Sequence, residues 1–145
     1  LSQRIKEFSF MQLSSTYHQF LPGLKGGKMS SSDPTSYIAL TDAPEEAATK
    51  IKKYAFSGGQ ATLEEHRKKG GNPDVDVAFQ MLRYGLEPDD KKLEKIYNAY
   101  KKGKLLSGEL KQLTIEKITA FLKEHQQKRK EAEKTVQKFI QAHDI

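Results

Sequence analysis

Thr41-Asp42-Ala43-Pro44-Glu45-Glu46-Ala47-Ala48-Thr49-Lys50-Ile51-Lys52-Lys53-Tyr54-Ala55-Phe56-Ser57-Gly58-Gly59 is the stretch whose punctuation sets the fold class. Asp42 stands where a helix N-cap is expected, Pro44 falls in the first turn, and Glu45 follows three residues on. Ala47, Ala48, Ile51 and Ala55 recur on one face at helical spacing, and Gly58-Gly59 stops the run. The same grammar continues downstream. Thr62-Leu63-Glu64-Glu65 is a capping box that opens a short helix closed by Gly70-Gly71. Asp74 is expected to cap the next helix, with Val77, Ala78, Met81, Leu82 and Gly85 as its buried stripe. Pro88-Asp89-Asp90 starts a fourth, with Leu93, Ile96, Tyr97 and Tyr100 on one face and Gly103 at its end. Ser107-Gly108-Glu109 begins the last. Its apolar stripe runs through Leu110, Leu113, Ile118, Phe121, Leu122, His125, Ala132, Val136, Phe139 and Ile140, which is long for a globular helix.

Residues 1 to about 40 read differently. Gln3 to Phe8 could end a helix, and Phe10 to Tyr17, rich in aromatic and β-prone residues, reads as a strand. Phe20-Leu21-Pro22-Gly23 turns the chain, and Tyr37-Ile38-Ala39-Leu40 is a short apolar exit segment. Strands without sheet partners suggest the end of an α/β domain whose remainder lies elsewhere. The opening residues, Leu1-Ser2-Gln3-Arg4, carry no initiator Met and no signal-peptide pattern, which suggests the middle of a longer protein.

Between these segments Gly26-Gly27 leads into Lys28-Met29-Ser30-Ser31-Ser32-Asp33-Pro34. Small residues let a backbone approach phosphates, and three hydroxyls and one ammonium can donate to anionic oxygens. The plain alternative is a flexible Gly/Ser linker. A Walker-type P-loop fails at two required positions: Met29 replaces its hydroxyl residue, and Pro22 sits where its first Gly belongs. There remains a mobile loop that closes over ATP, with Lys28 neutralising charge that develops on the phosphates as pyrophosphate leaves.

Composition sets outer bounds. The 145 residues fit one domain, or one small domain with a piece of another. Apolar content of 36% allows a modest core, and a net charge of +6 suits a polyanionic partner without deciding it. The absence of Cys excludes disulfides, thiolate catalysis and Cys-ligated zinc. His18, His66, His125 and His143 have no metal-ligand spacing and are expected to be surface or packing residues. No apolar run approaches transmembrane length. Lys123, Lys128, Arg129, Lys130, Lys134 and Lys138 line the exposed side of the last helix, either as a solvated face or as a phosphate-contacting one.

The Lys28–Ser32 loop resembles the KMSKS loop of class I aminoacyl-tRNA synthetases. With it go Thr35-Ser36-Tyr37-Ile38-Ala39-Leu40-Thr41-Asp42, Lys52 to Gly59, Thr62-Leu63-Glu64-Glu65-His66-Arg67, Gly70 to Val77, and Gly108-Glu109-Leu110-Lys111. Together these resemble the C-terminal part of archaeal and eukaryotic tryptophanyl-tRNA synthetases, in register over nearly the whole chain. The resemblance implies a mainly α fold: a helical anticodon-binding domain (41–145) preceded by the last piece of a Rossmann-like α/β catalytic domain (1–40). It implies that Lys28, Met29, Ser30, Ser31 and Ser32 are ATP-loop residues, with Lys28 stabilising the transition state of tryptophan activation, and that Lys111 contacts the anticodon. Gln60-Ala61 stands where the family can carry a basic-acidic pair.

The partners so implied are tRNA(Trp), tryptophan, and ATP with Mg, in a cytoplasmic enzyme that is a homodimer through its catalytic domain, with no membrane and no protein metal ligands. No HIGH-type motif is present; His18 is followed by Gln19-Phe20. The chain alone is therefore expected to bind no cofactor and make no adenylate. The competing reading is a non-catalytic helical tRNA- or RNA-binding module.

Overall fold

The computed structural model describes residues 14–17 and 20–141. After a 3-10 turn at Pro34–Ser36, five helices follow: α1 Pro44–Tyr54, α2 Leu63–Lys69, α3 Val77–Met81, α4 Asp90–Lys101 and α5 Ser107–Gln141. A π-helical turn, Leu82–Leu86, extends α3. The described residues contain no strand. Residues 14–17 carry no regular structure, and the rest of the strand expected at Phe10–Tyr17, like the helix end at Gln3–Phe8, lies outside the described residues.

The helix limits follow local chemistry. Thr62 caps α2 by accepting from the Glu65 amide, as the capping box requires. Asp89 caps α4 through the Lys91 and Lys92 amides, and the Leu106 amide donates to the Glu109 carboxylate at the head of α5, 2.7 Å away. Two caps differ from expectation. The N-cap of α1 is Ala43, with no side-chain bond; Asp42 instead accepts from the Ala39 amide at 2.9 Å and from the Lys50 ammonium at 2.7 Å. The cap of α3 is Asp76, which accepts from the Phe79 amide. Asp74 lies two residues too early for that helix, and its carboxylate accepts from the Tyr97 hydroxyl.

Two apolar clusters are built around α5. One joins Ala47 and Ile51 of α1 and Ala55 just past its end to Val77, Ile115, Ile118 and Leu122, and it includes Leu24 from ahead of the loop. The other joins Ala78, Phe79 and Leu82 to Tyr100 and Leu110. Of the expected α5 stripe, Leu110, Ile118 and Leu122 are buried, and Leu113 and His125 are half-buried. Phe121, Ala132 and Val136 are exposed, and the side chains of Phe139 and Ile140 lie outside the described residues. Thr114 and Ile115 are buried in their place; the Thr114 hydroxyl bonds the carbonyls of Leu110 and Ala78. Gly85 is exposed, because the π-helical turn rotates it out of the α3 stripe. No helix of the described residues is long and apolar enough to cross a membrane.

Candidate functional site

The Lys28–Ser32 loop stands on a hydrogen-bonded frame. The Gly23 amide donates to the Gly27 carbonyl at 2.7 Å, and the Leu24 amide to the Ser36 carbonyl at 2.8 Å. The Phe56 amide donates to the Leu24 carbonyl at 2.7 Å, which ties this frame to the end of α1. Leu24 itself is buried among the helices. Gly23 must be Gly: a Cβ there would lie 2.7 Å from the Ser36 carbonyl oxygen.

The far side of the loop is closed by Ser36 and Asp33. The Ser36 hydroxyl accepts from the Ser30 amide at 3.0 Å and lies 2.7 Å from the Asp33 carbonyl. Asp33 accepts from the Thr35 amide and hydroxyl, and pairs with the Lys25 ammonium at 2.7 Å. The Lys25 bond, then the Thr35 hydroxyl, hold the Asp33 carboxyl down at about 2. Its contribution is present above the ordinary value near 3.8 and is lost only as pH falls through about 2, so this link keeps its charge at neutral pH.

On that frame Lys28, Met29, Ser30, Ser31 and Ser32 are all exposed. The hydroxyls of Ser30 and Ser32 lie 2.9 Å apart. The ion pair Lys25–Asp33 flanks the loop; among the described residues Lys28 takes part in no ion pair. An exposed ammonium and two converging hydroxyls within one five-residue loop can receive an anionic group. Among the described residues no set of three His, Asp or Glu side chains could hold a metal.

Lys111 lies elsewhere, on the second turn of α5. It is half-buried, and its ammonium reaches the Lys52 carbonyl, 3.4 Å away, in the last turn of α1. A cation there also meets the negative end of the α1 dipole. Gln60 does not project freely either; its side-chain amide donates to the Gly70 carbonyl at 3.0 Å.

The family signatures around Ser57–Gly59 and Gly70–Asp76 meet in a buried polar knot that sequence reading did not assemble. Asp76 is 1% exposed. Its Oδ2 accepts from the Tyr100 hydroxyl (2.8 Å), the Gly58 amide (2.9 Å) and the Ser57 hydroxyl (3.2 Å). Tyr100 also lies 2.9 Å from the Ser107 hydroxyl. Burial pushes the Tyr100 phenol up to about 12. Beside it, His66 packs on the Tyr100 ring and donates from Nε2 to the Leu105 carbonyl at 2.9 Å, a packing role as expected. His125 is half-buried against Phe121; His18 and His143 lie outside the described residues. The glycines permit this knot: a Cβ on Gly70, at φ +75°, would lie 1.8 Å from the Lys101 carbonyl oxygen. One signal for the knot was available: Asp76, not Asp74, immediately precedes the apolar run of α3.

The family model for tRNA synthetases class I (W and Y) matches residues 1–123. The chain belongs to the class I tryptophanyl and tyrosyl tRNA synthetase family. Within that synthetase family it is 54% identical, over 136 residues, to a tryptophan–tRNA ligase of Sulfurisphaera tokodaii, covering 92% of this chain and 36% of that protein. It is 51% identical to a tryptophan–tRNA ligase of Pyrococcus furiosus, covering 92% of this chain and 35% of that one. The solved tryptophanyl-tRNA synthetase of Aeropyrum pernix superposes with a TM-score of 0.80 at 47% identity, covering 84% of this chain and 33% of that one. The chain thus spans about a third of the length of the ligases it matches.

Proposed function

We propose that this chain is the C-terminal part of a tryptophan–tRNA ligase, an enzyme that activates tryptophan with ATP and transfers it to tRNA(Trp). In this reading residues 1–40 end a Rossmann-like catalytic domain and residues 41–145 form the anticodon-binding domain. Lys28, Met29, Ser30, Ser31 and Ser32 belong to the loop that closes on ATP. Magnesium arrives with the nucleotide as part of the substrate. The observation that carries the reading is the loop itself: exposed ammonium and hydroxyls on a frame tied to the helices, within a sequence about half identical to named tryptophan–tRNA ligases.

During activation, negative charge grows on the departing pyrophosphate. A lysine aimed at that charge lowers the barrier when its bond strengthens in the transition state. Residues 28–32 supply such a lysine and two neighbouring hydroxyl donors. The remainder of the site, including tryptophan recognition and the dimer contact, belongs to the length of the ligases that this chain does not span. The setting in which such an enzyme meets its tRNA is the cytoplasm.

The helical part would hold the anticodon, with Lys111 among its contacts. Binding of this chain to tRNA(Trp) and to the same tRNA with an exchanged anticodon, over a salt series, tests this. The expected result is weaker binding to the exchanged anticodon, with affinity falling as salt rises. Lys111→Ala should remove most of the preference between the two tRNAs. Equal binding to both, unaffected by Lys111→Ala, would leave a helical module without anticodon recognition.

A further inference from the structure

We propose that Met29 is a positioning residue: it anchors the loop in an apolar cavity of the helical core and thereby fixes the direction of Lys28. The cavity holds about 140 Å³ beneath the loop. Met29 lines it together with Leu24, Ile38, Val77, Met81, Ile118 and Leu122. Leu24, Val77, Ile118 and Leu122 belong to the main core cluster, so whatever seats here is coupled to α3 and α5. A mainly apolar cavity favours an apolar occupant over water. Met29 is the sole apolar side chain between Lys28 and Ser32, and it is 40% exposed. Methionine is unbranched and adapts to irregular space.

Two further observations give the anchor its mechanical meaning. A Cβ on Gly23 would lie 3.2 Å from Met29 Cγ, so the missing side chain at Gly23 leaves Met29 the room to fold back. The dipeptide Lys28-Met29 is also pinned at both ends: the Gly27 carbonyl accepts from the Gly23 amide, and the Ser30 amide donates to the Ser36 hydroxyl. Lys28 and Met29 lie outside any helix or turn, where successive side chains leave the backbone in different directions. With its ends fixed, a Met29 turned to the cavity turns Lys28 to solvent, where the loop presents it. Loss of the apolar seat leaves the dipeptide free to rotate between its pins.

The anchor stands apart from the chemistry; its effect on catalysis rests on the proposed ATP role of Lys28. Methyl-13C methionine labelling of this chain separates the two. The three methionines are Met11, Met29 and Met81, assigned with Met29→Leu and Met81→Leu. The expected result is a nuclear Overhauser contact between the Met29 and Met81 methyls, and a Met29 shift that moves on Leu122→Val at the far wall. A Met29 methyl with no such contact and no response to Leu122→Val would overturn the anchor. In the full-length synthetase, Met29→Ser should lower the rate of adenylate formation roughly ten- to a hundredfold through misplacement of Lys28. The tryptophan KM should stay unchanged, Met29→Leu should restore most of the rate, and Met29→Ser should add little to Lys28→Ala. An additive double mutant would show that Met29 does not act through Lys28. A silent Lys28→Ala with the methyl contact intact would remove the ATP reading and leave the anchor standing.

Discussion

Tyr100→Phe isolates one atom of the buried knot. The ring of Tyr100 is fully buried and packs on His66, and Phe keeps that packing. What goes is a hydroxyl that donates to Asp76 at 2.8 Å and lies 2.9 Å from Ser107 and 3.3 Å from Ser57. Asp76 Oδ2 retains the Gly58 amide and the Ser57 hydroxyl, so its charge is not left bare. The loss is then one charge-assisted bond plus a weakened hydroxyl contact, about 2 kcal/mol. For a chain of this size that corresponds to a fall in Tm of about 6 °C. Urea unfolding followed by far-ultraviolet circular dichroism reads it as a lower midpoint at constant m. A change below about 0.5 kcal/mol would mean that the hydroxyl network adds nothing beyond ring packing. The pH dependence supplies a second check. The phenol is pushed from 10.0 up to about 12, so its contribution is full below pH 10 and is lost as pH rises from 10 toward 12. The stability gap between the native chain and Tyr100→Phe should be constant from pH 7 to 9 and shrink above 10. A gap that widens there would reverse the sign of the argument.

Further outcomes follow from single contacts. Gly70→Ala places a Cβ against the Lys101 carbonyl at a positive φ, and should cost about 3 kcal/mol or abolish soluble expression; a wild-type melting curve would contradict it. Lys50→Ala leaves Asp42 with the Ala39 amide alone at a site where both side chains are about a tenth exposed. It should cost about 3 kcal/mol by urea titration, and a loss under about 0.5 kcal/mol would class the pair with surface ion pairs.

The sequence reading placed most elements because their ends carry strong local signals. Thr62 with Glu65, Asp89 before Asp90, and Gly103 each act over a few residues, and all took their expected roles. Errors came where a tertiary partner claimed a side chain. Asp42 looked like the α1 cap, but Lys50, one face of the same helix, recruits it. Asp74 looked like the α3 cap, but Tyr97 takes its carboxylate while Asp76 caps. The π-helical turn at Leu82–Leu86 has no sequence marker beyond Gly85; it is defined by the bond from the Glu87 amide to the Leu82 carbonyl. At the site, the polar letters of Lys28–Ser32 suggested phosphate donors, the role proposed above, and their exposure agrees with the structure. The anchoring of Leu24 in the helical core was not legible, because it depends on pairing between segments more than thirty residues apart, Leu24 with Phe56. The signature glycines read as helix stops; the close packing of Lys101 on Gly70 and of Tyr100 on Gly71 was not legible, because those partners lie about thirty residues on.

Tryptophan-dependent ATP–pyrophosphate exchange by the full-length synthetase, with Lys28 native and with Lys28→Ala, tests the central claim most directly. The account predicts a fall in kcat of roughly a hundredfold or more, from loss of a charge contact made in the transition state, with the tryptophan KM nearly unchanged. Exchange that proceeds at the native rate, or a defect confined to the tryptophan KM, would contradict it.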